Sequence, residues 1–206
     1  MTPLIAITGG IGSGKSAVCR CLSAWGFEIY NCDSRAKLLM DNDVEIHRQL
    51  CDKISPDTVK DGVINRQLLS KIVFSDASKL KTLNSIVHNH VKEDIRNWRL
   101  VNARRPILFV ETAILLESGL QLEVDEVWLV DAPEDIRLNR ACRRDNAPRE
   151  AILARMNSQK SLCQNDISIP LHIIDNGGNS SIIAQLRYLL STRLDGIDVS
   201  YRQWKN

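Results

Sequence analysis

A glycine-rich segment near the start of the chain carries the residue types that bind phosphate groups. Leu4–Thr8 is a short apolar run, and Gly9–Ser16 after it matches the spacing G-x-x-x-x-G-K-[ST]. Glycines allow a tight turn whose N–H groups face an anion, and the helix predicted to follow adds the positive end of its dipole. In this pattern Lys15 reaches the β- and γ-phosphates, and the Ser16 hydroxyl binds Mg²⁺. The segment therefore predicts a site for a nucleoside triphosphate.

Two carboxylates follow predicted strands at the edge of the sheet where ligands gather. Asp33 comes just after the strand predicted at Phe27–Tyr30, and Glu111 ends the strand predicted at Pro106–Glu111. Asp33 could accept a hydrogen bond and then the proton of an attacking hydroxyl, or it could cap the helix predicted from Ser34. Glu111 could hold Mg²⁺ through water or contact the acceptor, or it could pair with a neighbouring arginine. The residues alone leave both choices open.

Six arginines cluster in two predicted helices and the turn that joins them. They are Arg137, Arg140, Arg143, Arg144, Arg149 and Arg155. Arg137, Arg140 and Arg144 share one helix face through spacings of three and four, and a guanidinium can bind two phosphate oxygens at once. A hinged pair of such helices is typical of a lid that closes over a nucleotide. The alternative is a solvated basic face balanced by nearby acidic residues. Those acidic residues are Glu134, Asp135, Asp145 and Glu150.

Two histidines, His88 and His90, stand two residues apart within a helical pattern. Residues at that spacing do not share a helix face, so the pair forms no metal site by itself. Packing or capping is the simpler interpretation of both side chains.

Composition restricts the class of protein. The 206 residues include 27 basic and 25 acidic side chains, a net charge of +2 that predicts no chain-wide attraction to nucleic acid or membranes. No apolar run approaches the roughly 20 residues that span a bilayer, and the first residues lack the features of a signal peptide. The six cysteines are scattered and form no C-x-x-C pair, which favours free thiols in a reducing cytoplasm. We therefore expect a cytoplasmic protein.

Apolar runs and helical periodicity alternate along the chain. Strands are predicted at 4–8, 27–30, 106–111, 124–131 and 171–174. Helices are predicted at 14–25, 34–53, 66–74, 77–100, 134–145, 149–162 and 182–194. This alternation predicts an α/β fold with a parallel sheet. The region 34–101 is expected to lack strands, with a polar turn at 57–62. We interpret it as a helical insertion that would hold a second substrate.

The ordered set of motifs resembles the dephospho-coenzyme A kinase family, over nearly the whole chain to about residue 190. The phosphate loop by itself indicates only an NTPase, whereas the full order is far more specific. The segments that carry the resemblance are Ile7–Ser16, Asp33 with Ala36-Lys37, Gly62–Phe74, Leu83–Val91, Glu111–Gly119, Asp131–Arg140, Arg144-Asp145, Arg155–Gln159 and Asp175–Gly178.

The resemblance implies a three-layer P-loop NTPase core, a helical acceptor domain and a helical lid. The core would comprise 1–33, 102–133 and 163–206, the acceptor domain 34–101 and the lid 134–162. It also implies transfer of the ATP γ-phosphate to the ribose 3′-hydroxyl of dephospho-coenzyme A, with Mg²⁺ present. We expect a monomer or a small homo-oligomer.

The resemblance further assigns roles to single residues. Asp33 becomes the general base, His88 and Glu111 contact the acceptor, and Arg140 joins Lys15 as a catalytic cation. Asn176 lies at the adenine end of the ATP site, and Arg144 belongs to the same site. The remaining ATP-binding positions are Gly10, Ile11, Gly12, Ser13, Gly14, Ser16 and Ala17, with Ser16 as the Mg²⁺ ligand.

Several positions depart from the family pattern. Asn31 replaces the first acid of its D-x-D, Glu111 replaces an aspartate, Ala113 a proline and Asn89 the proline of its H-P pair. A glutamate keeps the charge with a longer reach, whereas Asn31 removes a charge and weakens any two-carboxylate metal site. Two alternatives of other classes stay open: a P-loop kinase for another nucleoside or nucleotide, and a non-catalytic nucleotide-dependent switch.

Overall fold

The computed structural model describes residues 1–159 and 167–194. The chain divides into two compact units, one made of Met1–Tyr30 with the described part of Asn102–Asn206, the other of Asn31–Val101. Each unit has its own hydrophobic core. In the part of the chain that is described, no helix combines the length and the apolar character needed to cross a bilayer.

A five-stranded sheet forms the centre of the first unit. Its strands are β1 (Leu4–Thr8), β2 (Glu28–Asn31), β5 (Leu108–Glu111), β6 (Glu126–Asp131) and β7 (Leu171–Asp175), in the order β2-β5-β1-β6-β7. Parallel pairing places Ile7 opposite Glu111 on β5 and opposite Trp128 on β6. The predicted α/β class with a parallel sheet is confirmed.

The central strands are buried because nearly every residue in them is apolar. All five residues of β1 are buried, as are Leu108, Phe109 and Val110 of β5. Phe109 contacts the Trp128 ring, with the two ring centroids 5.1 Å apart. A strand that reads as one continuous apolar run fits a sheet covered on both faces. The carboxyl ends of these strands are therefore held by a rigid core.

Four helices of the first unit follow strands or turns of this core. They are α1 (Lys15–Ala24), α6 (Glu134–Asp145), α7 (Arg149–Ser158) and α8 (Ile182–Ser191). The α1 and α8 helices contribute Val18, Leu22, Leu186 and Leu190 to the core beside the sheet. Helices α6 and α7 form a smaller cluster around Leu138, Ala141 and Ile152.

The second unit contains α2 (Cys32–Asn42), α3 (Val44–Lys53), α4 (Arg66–Ser75) and α5 (Ala77–Val101). The prediction of one helix over 34–53 is wrong, because it breaks at Asp43. The Asp43 backbone is extended, and its Oδ1 accepts the N–H groups of Glu45 and Ile46. An aspartate that caps a new helix in this way ends the preceding one.

The expectation that 34–101 lacks strands is also wrong. Strands β3 (Val59–Lys60) and β4 (Val63–Ile64) pair antiparallel after a short 3₁₀ turn at Pro56–Thr58. Asp61 and Gly62 between them have φ values of 52° and 74°, the conformation that a two-residue hairpin turn requires. The polar break therefore folds into a small hairpin.

Some predicted boundaries shift by a few residues. Helix α7 ends at Ser158 and α8 at Ser191, three or more residues before their predicted ends. Residues 160–162 of the predicted helix, and Cys163, lie outside the described residues. Among the described cysteines, Cys19, Cys21, Cys32, Cys51 and Cys142 are free thiols, as predicted.

Candidate functional site

The phosphate loop connects β1 to α1 through glycines in left-handed conformations. Gly12 has a φ of 76° and Gly14 a φ of 98°, and Gly14 is the N-cap of α1. A Cβ on Gly14 would lie 2.1 Å from Asn176 Nδ2, and one on Gly12 would lie 2.1 Å from the carbonyl oxygen of Arg137. Both the backbone conformation and the close approach of neighbours therefore require glycine.

The backbone N–H groups of this loop fall into two sets. Ser13 donates to the Gly10 carbonyl at 3.1 Å, and Ile11 donates to Gln159 Oε1 at 2.9 Å. Within the described residues, the N–H groups of Gly12, Gly14 and Ser16 have no hydrogen-bond partner. N–H groups at the start of a helix are the usual ligands of an anion. The second set is thus available to phosphate oxygens.

Lys15 lies along the outside of the same loop. Its Nζ donates to the carbonyl oxygens of Gly9 at 2.7 Å and Gly10 at 3.2 Å. These bonds hold the ammonium group beside the loop at the carboxyl end of β1. A lysine in this place carries positive charge toward the position of a terminal phosphate.

Ser16 and Glu111 meet at the carboxyl edge of the sheet. The Ser16 hydroxyl donates to Glu111 Oε1 at 3.0 Å, which joins the first turn of α1 to the end of β5. Burial raises the pKa of the Cys19 thiol in α1, and the nearby charge of Glu111 raises it further. The hydroxyl and the carboxylate form a pair of oxygen ligands suited to Mg²⁺.

Asn176 follows β7 and contacts the phosphate loop. Its Nδ2 donates to the Ser13 carbonyl at 2.7 Å, and its backbone N–H donates to the carbonyl of Asp131 at 2.7 Å. These contacts place the end of β7 directly beside the start of α1. Asn176 therefore belongs to the same site as the phosphate loop.

The arginines of α6 and α7 have different surroundings. Arg144 binds both carboxylate oxygens of Asp145, at 2.7 and 3.0 Å, and Arg155 binds the same group at 2.8 Å. The two guanidinium groups lower the pKa of Asp145 to about 2. Arg140 makes no ion pair or hydrogen bond with the described residues. The predicted basic face is therefore partly neutralised, and Arg140 keeps its charge unpaired there.

Arg137 is the arginine closest to the phosphate loop. A Cβ added to Gly10 would lie 2.1 Å from Arg137 Nη1, so the guanidinium packs directly against this glycine. Its Nε is buried without a hydrogen-bond partner among the described residues. Arg137 also lines a cavity of about 460 Å³ at the carboxyl ends of β1 and β6, together with Gly9, Gly10, Asp131 and Gln159.

Asp33 and His88 lie in the second unit. Asp33 is exposed in the first turn of α2, and Asn31 is the N-cap, since its side chain accepts the Ser34 N–H at 2.8 Å. The capping interpretation of Asp33 is thus wrong. Its carboxylate has no hydrogen bond or ion pair with the described residues. His88 is half-buried in α5.

His90 has the structural role that its pattern predicts. Its Nδ1 lies 3.1 Å from Asp43 Oδ2, and its Nε2 lies 3.3 Å from Gln49 Nε2. Because the amide nitrogen of Gln49 can only donate, Nε2 accepts and Nδ1 carries the proton given to Asp43. His90 therefore steadies the residue that caps α3. Among the described residues there is no group of three or more His, Cys, Asp or Glu side chains placed to hold a metal.

The site contains contacts that motif analysis did not predict. Gln159 bonds the Ile11 N–H and also the carbonyl of Ala113, and Arg137 packs against Gly10. Gln159 was part of a matching segment, but its role depends on two contacts with residues far away in the chain. No local pattern signals such contacts.

Comparisons with known proteins identify the family. The family model for dephospho-CoA kinase matches residues 3–181. A dephospho-CoA kinase from Bacteroides fragilis strain YCH46 is 37% identical over 187 residues, which cover 91% of each chain. The enzyme of the same name from Porphyromonas gingivalis is 41% identical over 156 residues, covering 76% of this chain and 77% of that one.

Solved structures support the same fold. The crystal structure of TT1252 from Thermus thermophilus is 30% identical, has a TM-score of 0.77, and is matched over 95% of this chain and 99% of that one. The dephospho-CoA kinase from Campylobacter jejuni has a TM-score of 0.65 over 94% and 98% of the two chains, and at 24% identity it supports the fold alone. The chain belongs to the dephospho-CoA kinase family of ATP-dependent phosphotransferases.

Proposed function

We propose that this chain transfers the γ-phosphoryl group of ATP to the ribose 3′-hydroxyl of dephospho-coenzyme A, which yields coenzyme A and ADP. The observation that carries the proposal is the contact between Ser16 of the phosphate loop and Glu111 at the end of β5. It places a hydroxyl and a carboxylate beside a lysine and several unpaired N–H groups. Phosphoryl transfer uses groups of these kinds, and the family to which the chain belongs carries out that reaction.

The phosphate loop would bind the triphosphate. The N–H groups of Gly12, Gly14 and Ser16 donate to phosphate oxygens, and Lys15 exchanges its bonds to loop carbonyls for the β- and γ-phosphates. Charge develops on the transferring group and on the leaving oxygen of ADP, so fixed donors here lower the barrier. The N–H groups of Ile11, Ser13 and Ala17 act inside the protein, where they hold the shape of the loop.

Ser16 and Glu111 would hold Mg²⁺. Their oxygens lie 3.0 Å apart, and the remaining ligands of a hard cation would be water and phosphate oxygens. The residues present therefore fit the ion. When bound, Mg²⁺ supplies neutralising charge to the phosphates.

Asp33 would be the general base of the reaction. The 3′-oxygen forms a bond to the γ-phosphorus, the bond from that phosphorus to the β–γ bridging oxygen breaks with its electron pair, and the hydroxyl proton passes to the Asp33 carboxylate. The exposed carboxylate, which has no hydrogen bond or ion pair with the described residues, supports this role. His88 would contact the acceptor from the same unit.

The arginines would neutralise the negative charge of the phosphates. Asn176 would line the adenine end of the ATP site. Arg140 is supported by its unpaired guanidinium, whereas Arg144 would reach a phosphate by exchanging its bonds to Asp145. Arg137 joins this set because it lies against Gly10. Residues 134–159 would thus act as the described part of a lid.

An acceptor comparison tests the function directly. ADP release from Mg-ATP is measured with dephospho-coenzyme A, adenosine, AMP and no acceptor, with Lys15→Met as the inactive control. We expect release only with dephospho-coenzyme A and coenzyme A as the product. A preference for AMP or adenosine would support a kinase for another nucleoside or nucleotide. Nucleotide binding without any phosphoryl transfer would support a non-catalytic switch. Family membership favours neither alternative. The cytoplasmic location and the monomeric or small homo-oligomeric state stay predictions.

A further inference from the structure

Gln159 connects three segments that are distant in the chain. Its Oε1 accepts the Ile11 N–H of the phosphate loop at 2.9 Å, and its Nε2 donates to the Ala113 carbonyl at 3.1 Å. Its own backbone N–H donates to Met156 at 3.2 Å, which ends α7. A carboxamide both donates and accepts at its tip, so one side chain satisfies two backbone groups of opposite polarity.

The two loops that Gln159 connects follow neighbouring strands. The phosphate loop follows β1, and Ala113 lies two residues after Glu111, the last residue of β5. Ile7 and Glu111 are paired across these strands. The amide of Gln159 therefore fixes the spacing of the two chain segments that carry Ser16 and Glu111.

We infer that Gln159 is a positioning residue for nucleotide binding, which holds the first half of the phosphate loop in its binding shape. It accepts the Ile11 N–H, whereas the N–H groups of Gly12, Gly14 and Ser16 have no hydrogen-bond partner among the described residues. Because Gln159 directly follows α7, its hydrogen bonds also couple the position of the loop to that of α7. The inference deepens the proposed function and rests on it for its kinetic test.

Two further contacts make the same connection. The Ile11 side chain packs against the apolar cluster of Leu138, Ala141 and Ile152 between α6 and α7. The Arg137 guanidinium lies against Gly10, and a Cβ added to Gly10 would also come within 3.8 Å of Gln159 Oε1. Apolar packing and the arginine set the distance between the helices and the loop. The directional hydrogen bonds of Gln159 set the orientation of the Ile11 peptide.

Gln159→Met tests the inference, with Ser158→Ala as the matched control. Methionine keeps the length of the side chain and removes both hydrogen bonds. The neighbouring Ser158 hydroxyl donates only to Arg155 in its own helix. We expect the KM for ATP to rise about tenfold in Gln159→Met, with the KM for dephospho-coenzyme A and the midpoint of thermal unfolding near their original values.

Hydrogen exchange of the Ile11 amide in the full chain without nucleotide separates this inference from the proposed function. The exchange should become faster in Gln159→Met and stay unchanged in Ser158→Ala, whether or not the chain phosphorylates dephospho-coenzyme A. Unchanged exchange at Ile11, or an equal rise of both KM values together with lower thermal stability, overturns the positioning role.

Discussion

The hydroxyl of Ser16 donates a hydrogen bond to the carboxylate of Glu111 across 3.0 Å, although 95 positions separate the two residues in the chain. The contact joins the first turn of α1 to the end of β5, two elements whose positions the buried strands hold. It brings a hydroxyl and a carboxylate, the kinds of oxygen ligand that suit Mg²⁺, together beside the phosphate loop.

Replacing Glu111 by Gln should weaken the use of Mg²⁺. The amide keeps an oxygen that can accept from Ser16, but it carries no charge, and Mg²⁺ prefers charged oxygen ligands. We expect the Mg²⁺ concentration for half-maximal rate to rise severalfold, with little change in thermal stability. Glu150→Gln, an exposed carboxylate in the first turn of α7, is the control. Identical Mg²⁺ curves for all three proteins would remove Glu111 from the metal site.

Asp33→Asn should slow the chemical step. The amide cannot accept the proton of the 3′-hydroxyl, and loss of a general base reduces rates by about a hundredfold or more. The KM for ATP should stay near its original value, because Asp33 lies outside the phosphate loop. Asp57→Asn, which changes another exposed aspartate of the second unit, should leave kcat unchanged. If steady-state kinetics show full activity for Asp33→Asn, Asp33 is not the general base.

Gly14→Ala should abolish tight ATP binding and lower thermal stability. The added Cβ meets Asn176 Nδ2 at 2.1 Å, and a φ of 98° strains any residue other than glycine. Combining it with Asn176→Ala removes the collision but leaves the backbone strain. The double variant should therefore recover only part of the lost unfolding temperature. Calorimetric ATP titration and thermal scans measure both effects, and a stable, ATP-binding Gly14→Ala chain would contradict the described loop.

Asn176→Ala by itself should raise the KM for ATP while the fold is retained. The change removes the 2.7 Å donation to the Ser13 carbonyl, one of the contacts that hold the start of α1. A net loss of about 1 kcal/mol corresponds to roughly a fivefold weaker site. Gln185 is an unsuitable control, because its amide bonds the same strand end, whereas Ser191→Ala removes only a contact within α8. An unchanged KM for ATP would leave Asn176 without a part in the site.

Asp145 should titrate far below an ordinary aspartate. Hydrogen bonds from Arg144 and then Arg155 lower its pKa from 3.8 to about 2. Since the folded pKa lies below the unfolded one, the stabilisation is present above about pH 4 and is lost as the pH falls through 2. Carbon NMR titration should show the pKa rising toward 3.8 in Arg144→Gln and less in Arg155→Gln. Equal pKa values of Asp145 in the original chain and in the two variants would contradict the binding of its carboxylate by both Arg144 and Arg155.

Two elements of the second unit differ from what the local sequence pattern predicts. Leu38, Ile46 and Leu50 keep a helical spacing across Asp43, so the periodicity predicts one helix, yet the Asp43 side chain begins a new one. The Asp61-Gly62 pair is a hairpin signal, but strands of two residues are too short to show alternation. Both differences arise where one or two side chains decide the backbone conformation.

The sequence by itself determined the phosphate loop, the five strands of the sheet and the family, because these depend on residue type, local spacing and motif order. Only the tertiary structure decided the partners of single groups. It assigned Ser16 to Glu111, the Ile11 N–H to Gln159 and the Ser13 carbonyl to Asn176. Hydrogen bonds depend on distances of a few tenths of an ångström, and the packing of the core sets the distances between segments far apart in the chain.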